Sequence, residues 1–151
     1  MKGAYEKAVD LLSARPHFRR ELAVKLAARR FPAAEIEAAL DRLTEERYLD
    51  DRATAESFVR SRLERGPEGR LRLAAELGRR GAPAEVAAET LDALLPEDDL
   101  AAARAAAARW ARGGKDDPAA LSRHLARKGF SPRAIFTLLR ERGAEPPAED
   151  G

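Results

Sequence analysis

A chain of 151 residues, 36% of them charged but with a net charge of only +2, can form one compact domain or a short run of smaller units, and its total charge points to no polyanionic partner. The absence of cysteine excludes a disulfide framework and a thiolate metal site, and the only histidines, His17 and His124, lie too far apart to form a zinc-ligand pair. No apolar run approaches the roughly 18 residues of a membrane span and no apolar signal core opens the chain, so the expectation is a soluble cytoplasmic protein without a membrane partner.

The hydrophobic residues are dominated by 33 alanines, with aromatics at only 5%. Alanine has the highest helix propensity and adds little buried area, which favours slim, closely packed helices. No segment alternates as a half-buried strand would, so the fold class is all-α. In chain order, Tyr5, Val9 and Leu12 mark a first helix ended by Pro16. Phe18, Leu22 and Leu26 mark a second, to about Arg30, and Pro32 opens a third, to about Arg47. Asp50 or Asp51 caps a helix through Phe58, Val59 and Leu63 that breaks at Gly66-Pro67. A helix through Leu73 and Leu77 stops at Gly81, and Pro83 opens the next, through Val86 and Leu94. Asp98-Asp99, Gly113-Gly114, Pro118, Gly129 and Ser131-Pro132 then repeat the same punctuation.

This is an internal repeat. Leu22, Leu26, Phe31, Ile36 and Leu40 recur 51 residues later as Leu73, Leu77, Ala82, Ala87 and Leu91, and 48 residues after that as Leu121, Leu125, Phe130, Ile135 and Leu139. Ala8 and Leu12 answer to Val59 and Leu63, then to Ala107 and Ala111. The pattern predicts three tandem three-helix, helix-turn-helix-like repeats at 1–47, 48–95 and 96–143, followed by a disordered tail at 144–151. Units this small share apolar faces with their neighbours, which predicts an elongated curved array.

Charge is sorted by helix. Residues 15–30 carry a net +5, with Arg19, Arg20, Lys25, Arg29 and Arg30 prominent, whereas residues 32–47 carry −3. The same sequence of signs recurs at 65–80 (+3) and 82–95 (−3), but residues 131–142 break it. Acidic third helices are repelled by phosphate, which argues against sequence reading in a DNA major groove. The basic second helices suit non-specific phosphate or an acidic protein surface. They also suit a solvated face laced with i,i+4 pairs such as Glu21–Lys25 and Glu76–Arg80. Asp50-Asp51 reads as a capping pair rather than a metal or acid/base pair, because Asp98-Asp99 repeats it at another helix start. Trp110, opposite Arg62 in the repeat, reads as a space-filling core residue or a binding anchor. Tyr48 and Phe58 read as core. With no nucleophile–base pair, phosphate loop or ligand cluster, no catalytic, cofactor or metal site is expected.

The stretch from Tyr48 to Gly81 resembles the RecX family, through Tyr48-Leu49-Asp50-Asp51, then Ala55 to Arg62, Arg72-Leu73-Ala74-Ala75-Glu76-Leu77 and Arg80-Gly81. Looser matches extend the likeness over roughly residues 4 to 142. The resemblance implies three tandem three-helix repeats and a regulator that binds the helical groove of the RecA recombinase–DNA filament and limits its activity; the chain itself is expected to be a monomer. On that footing Arg60, Arg62, Arg65, Arg70, Arg72, Arg79 and Arg80 are the candidates for touching acidic recombinase surface or nearby DNA, single- or double-stranded. The chain departs from the family pattern at Ala53 and Thr54, and at Glu68-Gly69, where the turn after Gly66-Pro67 is altered. The competing classes are a non-sequence-specific nucleic-acid-binding module and a plain helical scaffold.

Overall fold

The computed structural model describes residues 1–143; the tail at 144–151 expected to be disordered lies outside the described residues. Among the described residues the chain is helical without strands: α1 (Ala4–Ala14), α2 (Arg19–Ala28), α3 (Ala33–Glu45), α4 (Asp51–Arg65), α5 (Arg70–Arg80), α6 (Ala84–Leu94), α7 (Leu100–Ala111), α8 (Pro118–Arg127) and α9 (Pro132–Glu141). Most boundaries fall within a few residues of the punctuation read from the sequence, with α2 and α3 ending two residues before the expected Arg30 and Arg47. Proline sits in the first turn of α8 and α9, where a missing N–H costs nothing. The Asp117 carboxylate accepts from Ala119 N–H at 3.3 Å, and Ser131 Oγ from Ala134 N–H at 3.1 Å. The second helix of each triplet ends in a left-handed residue at the repeat-equivalent positions Arg30 (φ 66°), Gly81 (φ 101°) and Gly129 (φ 88°).

The helices gather into two compact units. One comprises Met1–Phe58 with Leu77–Thr90; among the described residues the other comprises Val59–Glu76 with 91–143, so the division runs through α4, α5 and α6. In the first unit α1, α2 and α3 bury Ala4, Ala8, Leu22, Leu26, Ile36, Leu40 and Leu43. In the second, α7, α8 and α9 bury Ala103, Ala107, Leu121, Leu125, Phe130, Ile135 and Leu139. The repeat positions Leu22, Leu73, Leu121, Leu26, Leu77 and Leu125 are all buried, as the periodicity predicts.

Three sequence expectations need correction. In α1 the inward stripe is Ala4 and Ala8, one residue away from the expected Tyr5–Val9–Leu12 face, and Val9 is exposed. A small side chain lets neighbouring backbones approach closely, so alanine takes the contact line. Tyr48, expected in the core, is 67% exposed. Arg47, left-handed at φ 63°, turns the chain outward after α3, and Leu49 is buried instead. Phe58 is half-buried, its ring 5.0 Å beneath the Arg80 guanidinium.

The two acidic pairs do more than cap. Asp50 and Asp98 accept from the N–H groups of Ala53 (3.1 Å) and Leu100 (2.8 Å) at the start of their own helices. Asp51 instead accepts from Arg19 N–H at the start of α2 (2.8 Å), and Asp99 from Ser131 N–H (2.7 Å) and Oγ (2.8 Å) at the start of α9. One aspartate thus starts its helix while the next fastens another helix of the same unit. The departure at Ala53 and Thr54 fits here: Thr54 is buried, its hydroxyl donating to Asp50 O at 2.9 Å.

Candidate functional site

Each unit contains a place where the end of one second helix meets the start of another. In the first unit Gly81 lies against α2, where an added Cβ would come within 3.2 Å of Arg20 Cβ. Beside it Arg80 reaches Glu21 and the Pro16 carbonyl, both at 3.4 Å, with its guanidinium 5.7 Å from the Phe18 ring centroid. Glu21 also takes Arg15 (2.8 Å) and the Phe18 N–H (3.0 Å). Burial pushes the Glu21 carboxyl up, but the bonds from Arg15 and Phe18 and the charge of Arg80 outweigh it and hold it below the usual range. His17, 2% exposed, closes this region. Its Nδ1–H donates to Arg15 O at 2.9 Å, and the Lys25 ammonium donates to Nε2 at 2.8 Å. Burial lowers its pKa, with the Arg15 and Lys25 charges acting in the same direction.

In the second unit the junction is tighter. Gly69 N–H donates to Lys128 O (2.8 Å) and Leu71 N–H to Gly129 O (3.2 Å), so the last carbonyls of α8 satisfy the first donors of α5. A Cβ on Gly69 would overlap the Gly129 backbone, and one on Gly129 would overlap that of Arg72. This accounts for the altered turn: Gly69 admits the end of α8, and Glu68, 6% exposed, receives Arg62 at 2.5 Å and 2.9 Å. Arg62 also bonds Glu76, and Arg72 stands 3.4 Å from both carboxylates.

Beside this junction opens a cleft of about 330 Å³ formed by the end of α4, the Gly66-Pro67 turn, the first turn of α5, and α7 and α8. Arg62 and Arg72 line it with their carboxylate partners, while Arg65, Arg109 and Lys128 line it with no carboxylate partner among the described residues. Arg109 is fixed by donating to the Arg65 carbonyl at 3.0 Å, over Gly66, where any Cβ would displace its guanidinium. Half-buried Trp110 completes the wall, stacked on His124 with ring centroids 6.3 Å apart at 30°. The pKa of His124 is lowered by burial first, then by Lys128, Arg127 and Lys115, with no acidic group opposing them. The cleft is therefore electropositive.

The sequence-predicted arginines divide by environment. Arg62, Arg65 and Arg72 meet at the cleft, whereas Arg60 is exposed on α4 with no ion pair among the described residues. Arg70 bridges to Asp92 on α6 at 2.7 Å, an exposed pair. Arg79 is exposed at the end of α5, and Arg80 is held at the first junction. Some of the sorted charges answer one another: Arg19 on α2 pairs with Glu37 (2.8 Å) and Asp41 (2.7 Å) on α3, as Arg70 on α5 does with Asp92 on α6, and Arg52 on α4 stands 3.5 Å from Glu89 on α6. The i,i+4 pair Glu21–Lys25 suggested by spacing does not form among the described residues: Glu21 is engaged by Arg15 and Arg80, and Lys25 by His17. Sequence counting missed Arg109 and Lys128, since α7 reads as an alanine helix. The available signal was the alignment of Trp110 with Arg62. Among the described residues no group of three or more His, Cys, Asp or Glu side chains could hold a metal ion, and no helix is long and apolar enough to cross a membrane.

Comparisons with known proteins converge. Residues 4–43 match a family model described as "RecX, first three-helix domain", and residues 50–91 one described as "RecX, second three-helix domain". The chain is 41% identical to "Regulatory protein RecX" of Chromohalobacter salexigens over 127 residues, 83% of each protein. It is 41% identical to the protein of that name from Halorhodospira halophila over 146 residues, 96% of this chain and 88% of the relative. Among solved structures, that of RecX from Lactobacillus salivarius superposes with a TM-score of 0.78 at 23% identity, covering 91% of this chain and 93% of the other, a likeness of fold.

Proposed function

The chain belongs to the RecX family, and from that premise we propose that it is a cytoplasmic regulatory binding protein, not an enzyme, that docks on a RecA recombinase–DNA filament and restrains its recombinase and ATPase activity. The observation that carries this reading is similarity to proteins named regulatory across more than four fifths of the chain. In this reading the chain acts as a monomer of three repeats, 1–47, 48–95 and 96–143. Tandem units offer many modest contacts along a repeating partner, which multivalency turns into useful affinity. Exposed guanidinium groups such as Arg60, Arg65 and Arg79 match carboxylate or phosphate on such a filament.

The test is a recombinase ATPase assay on single-stranded DNA, with strand exchange as a second readout. The protein, at amounts stoichiometric with recombinase, is expected to lower both rates. Unchanged rates and unchanged filament stability at a several-fold excess would contradict the proposal. A second reading, a nucleic-acid-binding helical module acting without recombinase, is favoured by the unpaired cations of the cleft; it predicts DNA affinity that falls steeply with salt.

A further inference from the structure

We infer that the cleft of the second unit is a nucleotide subsite, in which Arg65, Arg109 and Lys128 hold phosphate oxygens and the indole of Trp110 takes the base. Three features of the cleft carry this.

The first is surplus charge. On the other second helices several bases meet carboxylates, Arg19 with Glu37 and Asp41, Arg70 with Asp92, and Arg80 with Glu21, while Arg20, Arg29 and Arg30 form no ion pair among the described residues but are not gathered in a concave site. Around this cleft Glu68 and Glu76 are engaged by Arg62 and Arg72, and three cations remain without an acid among the described residues. Cations brought together in a concave site raise one another's cost unless an anion joins them.

The second is preorganisation. Arg109 is held by its bond to the Arg65 carbonyl at 3.0 Å and by the space that Gly66 leaves for its guanidinium. Lys128 is half-buried at the end of α8, where its own carbonyl is tied to Gly69 N–H at 2.8 Å. The Arg109 guanidinium is thus preset for an anion at a reduced ordering cost, while at Lys128 it is the backbone that is fixed.

The third is the aromatic wall. Trp110 and His124 stack beside the cations, and burial and the surrounding positive charge lower the pKa of His124. A flat π surface next to guanidinium and ammonium groups complements a base attached to its phosphate, as at single-strand binding sites. An acidic peptide supplies carboxylates but nothing for the indole, and a duplex keeps its bases stacked on one another. A volume of about 330 Å³ is at the lower end for small-ligand clefts and fits one nucleotide.

Trp110 is the single tryptophan of the chain, so it reports directly on the site. The experiment titrates the whole protein with a 15-nucleotide thymidine oligomer and with thymidine triphosphate, following indole emission. No recombinase is present, so this test and the ATPase test fail independently. Quenching is expected, with log K for the oligomer falling against log salt at a slope of about −0.7 for each strand phosphate engaged. Oligomer binding at least 10-fold tighter than triphosphate binding identifies a strand as the ligand source, and comparable affinities identify the free nucleotide; both support the subsite. Arg109→Glu and Lys128→Glu are expected to weaken binding at least 10-fold, and Arg109→Gln and Lys128→Gln several-fold with helical circular dichroism retained. Arg29→Glu, on the exposed end of α2, is expected to change it less than 2-fold. Absence of quenching, equal affinity for a blunt duplex, stronger binding of polyglutamate, or unaltered binding in the glutamine variants would each overturn the inference.

Discussion

The two junctions are built from equivalent parts of the repeat and put their charge to different use. At the first junction Arg80 and Arg15 converge on Glu21, and Arg19 meets Glu37 and Asp41, so the basic groups at the junction itself are cohesive. In the second, backbone hydrogen bonds between Gly69, Leu71, Lys128 and Gly129 take over the joining, and a separate set of cations is left facing a cleft. A junction held by main chain frees side chains for a ligand. One held by ion pairs does not.

The largest effect expected from this contrast comes from adding a methyl group at each junction. Gly129→Ala forces a left-handed Cβ into the Arg72 backbone and should cost about 3–4 kcal/mol, against about 1–2 for Gly81→Ala, whose Cβ meets only the Arg20 side chain and a nearby N–H. Gly114→Ala, left-handed in open space, should cost about 1 kcal/mol. Urea unfolding midpoints check the order, and equal losses at 81 and 129 would remove the distinction between the junctions.

Next is the buried pair beside the tighter junction. Arg62→Ala leaves Glu68, 6% exposed, without its main cation, and should cost about 3 kcal/mol. Arg70→Ala breaks a pair whose side chains are 45% and 70% exposed, and should cost less than about 1 kcal/mol. Thermal melts of the two variants side by side decide this.

A smaller effect appears with pH, and both units share it. His17 and His124 have folded pKa values lowered chiefly by burial. The unfolded chain therefore takes up protons that the folded chain refuses. Their contribution to stability is complete above the free imidazole value of about 6.5 and declines as pH falls below it. The urea midpoint should be lower at pH 5.5 than at pH 7.5. His17→Gln should remove more of that difference than His124→Gln, because His17 is 2% exposed and His124 only half-buried. A midpoint independent of pH in this window would show that neither imidazole is held neutral.

Much of the fold was legible because it is periodic. The leucines at 22, 26, 73, 77, 121 and 125 sit where a 3.6-residue period and constant offsets place them, and proline, glycine and aspartate mark the helix ends. Tyr48 and Val9 were misplaced because size suggested core where the geometry needed alanine and a left-handed turn. The site was half legible. Arg62, Arg65 and Arg72 were found by counting charge along one helix, but whether an arginine is engaged depends on carboxylates many residues away, such as Glu21 for Arg80. Arg109 comes from an alanine-rich helix, Lys128 follows Arg123 and Arg127 at a basic helix end that the charge count passed over, and only the fold brings the two to one cleft.

The central claim is that unpaired cations of the second unit serve binding while paired cations of the first serve cohesion. Its most direct measurement is the concentration of protein that half-inhibits single-strand-dependent recombinase ATPase, compared between the wild type, the double variant Arg65→Glu/Lys128→Glu and the single variant Arg19→Gln. The account predicts a rise of at least 10-fold for the double variant with an unchanged melting temperature, and wild-type potency for Arg19→Gln with a lowered one. Wild-type potency in the double variant, or lost potency in a fully folded Arg19→Gln, would contradict it.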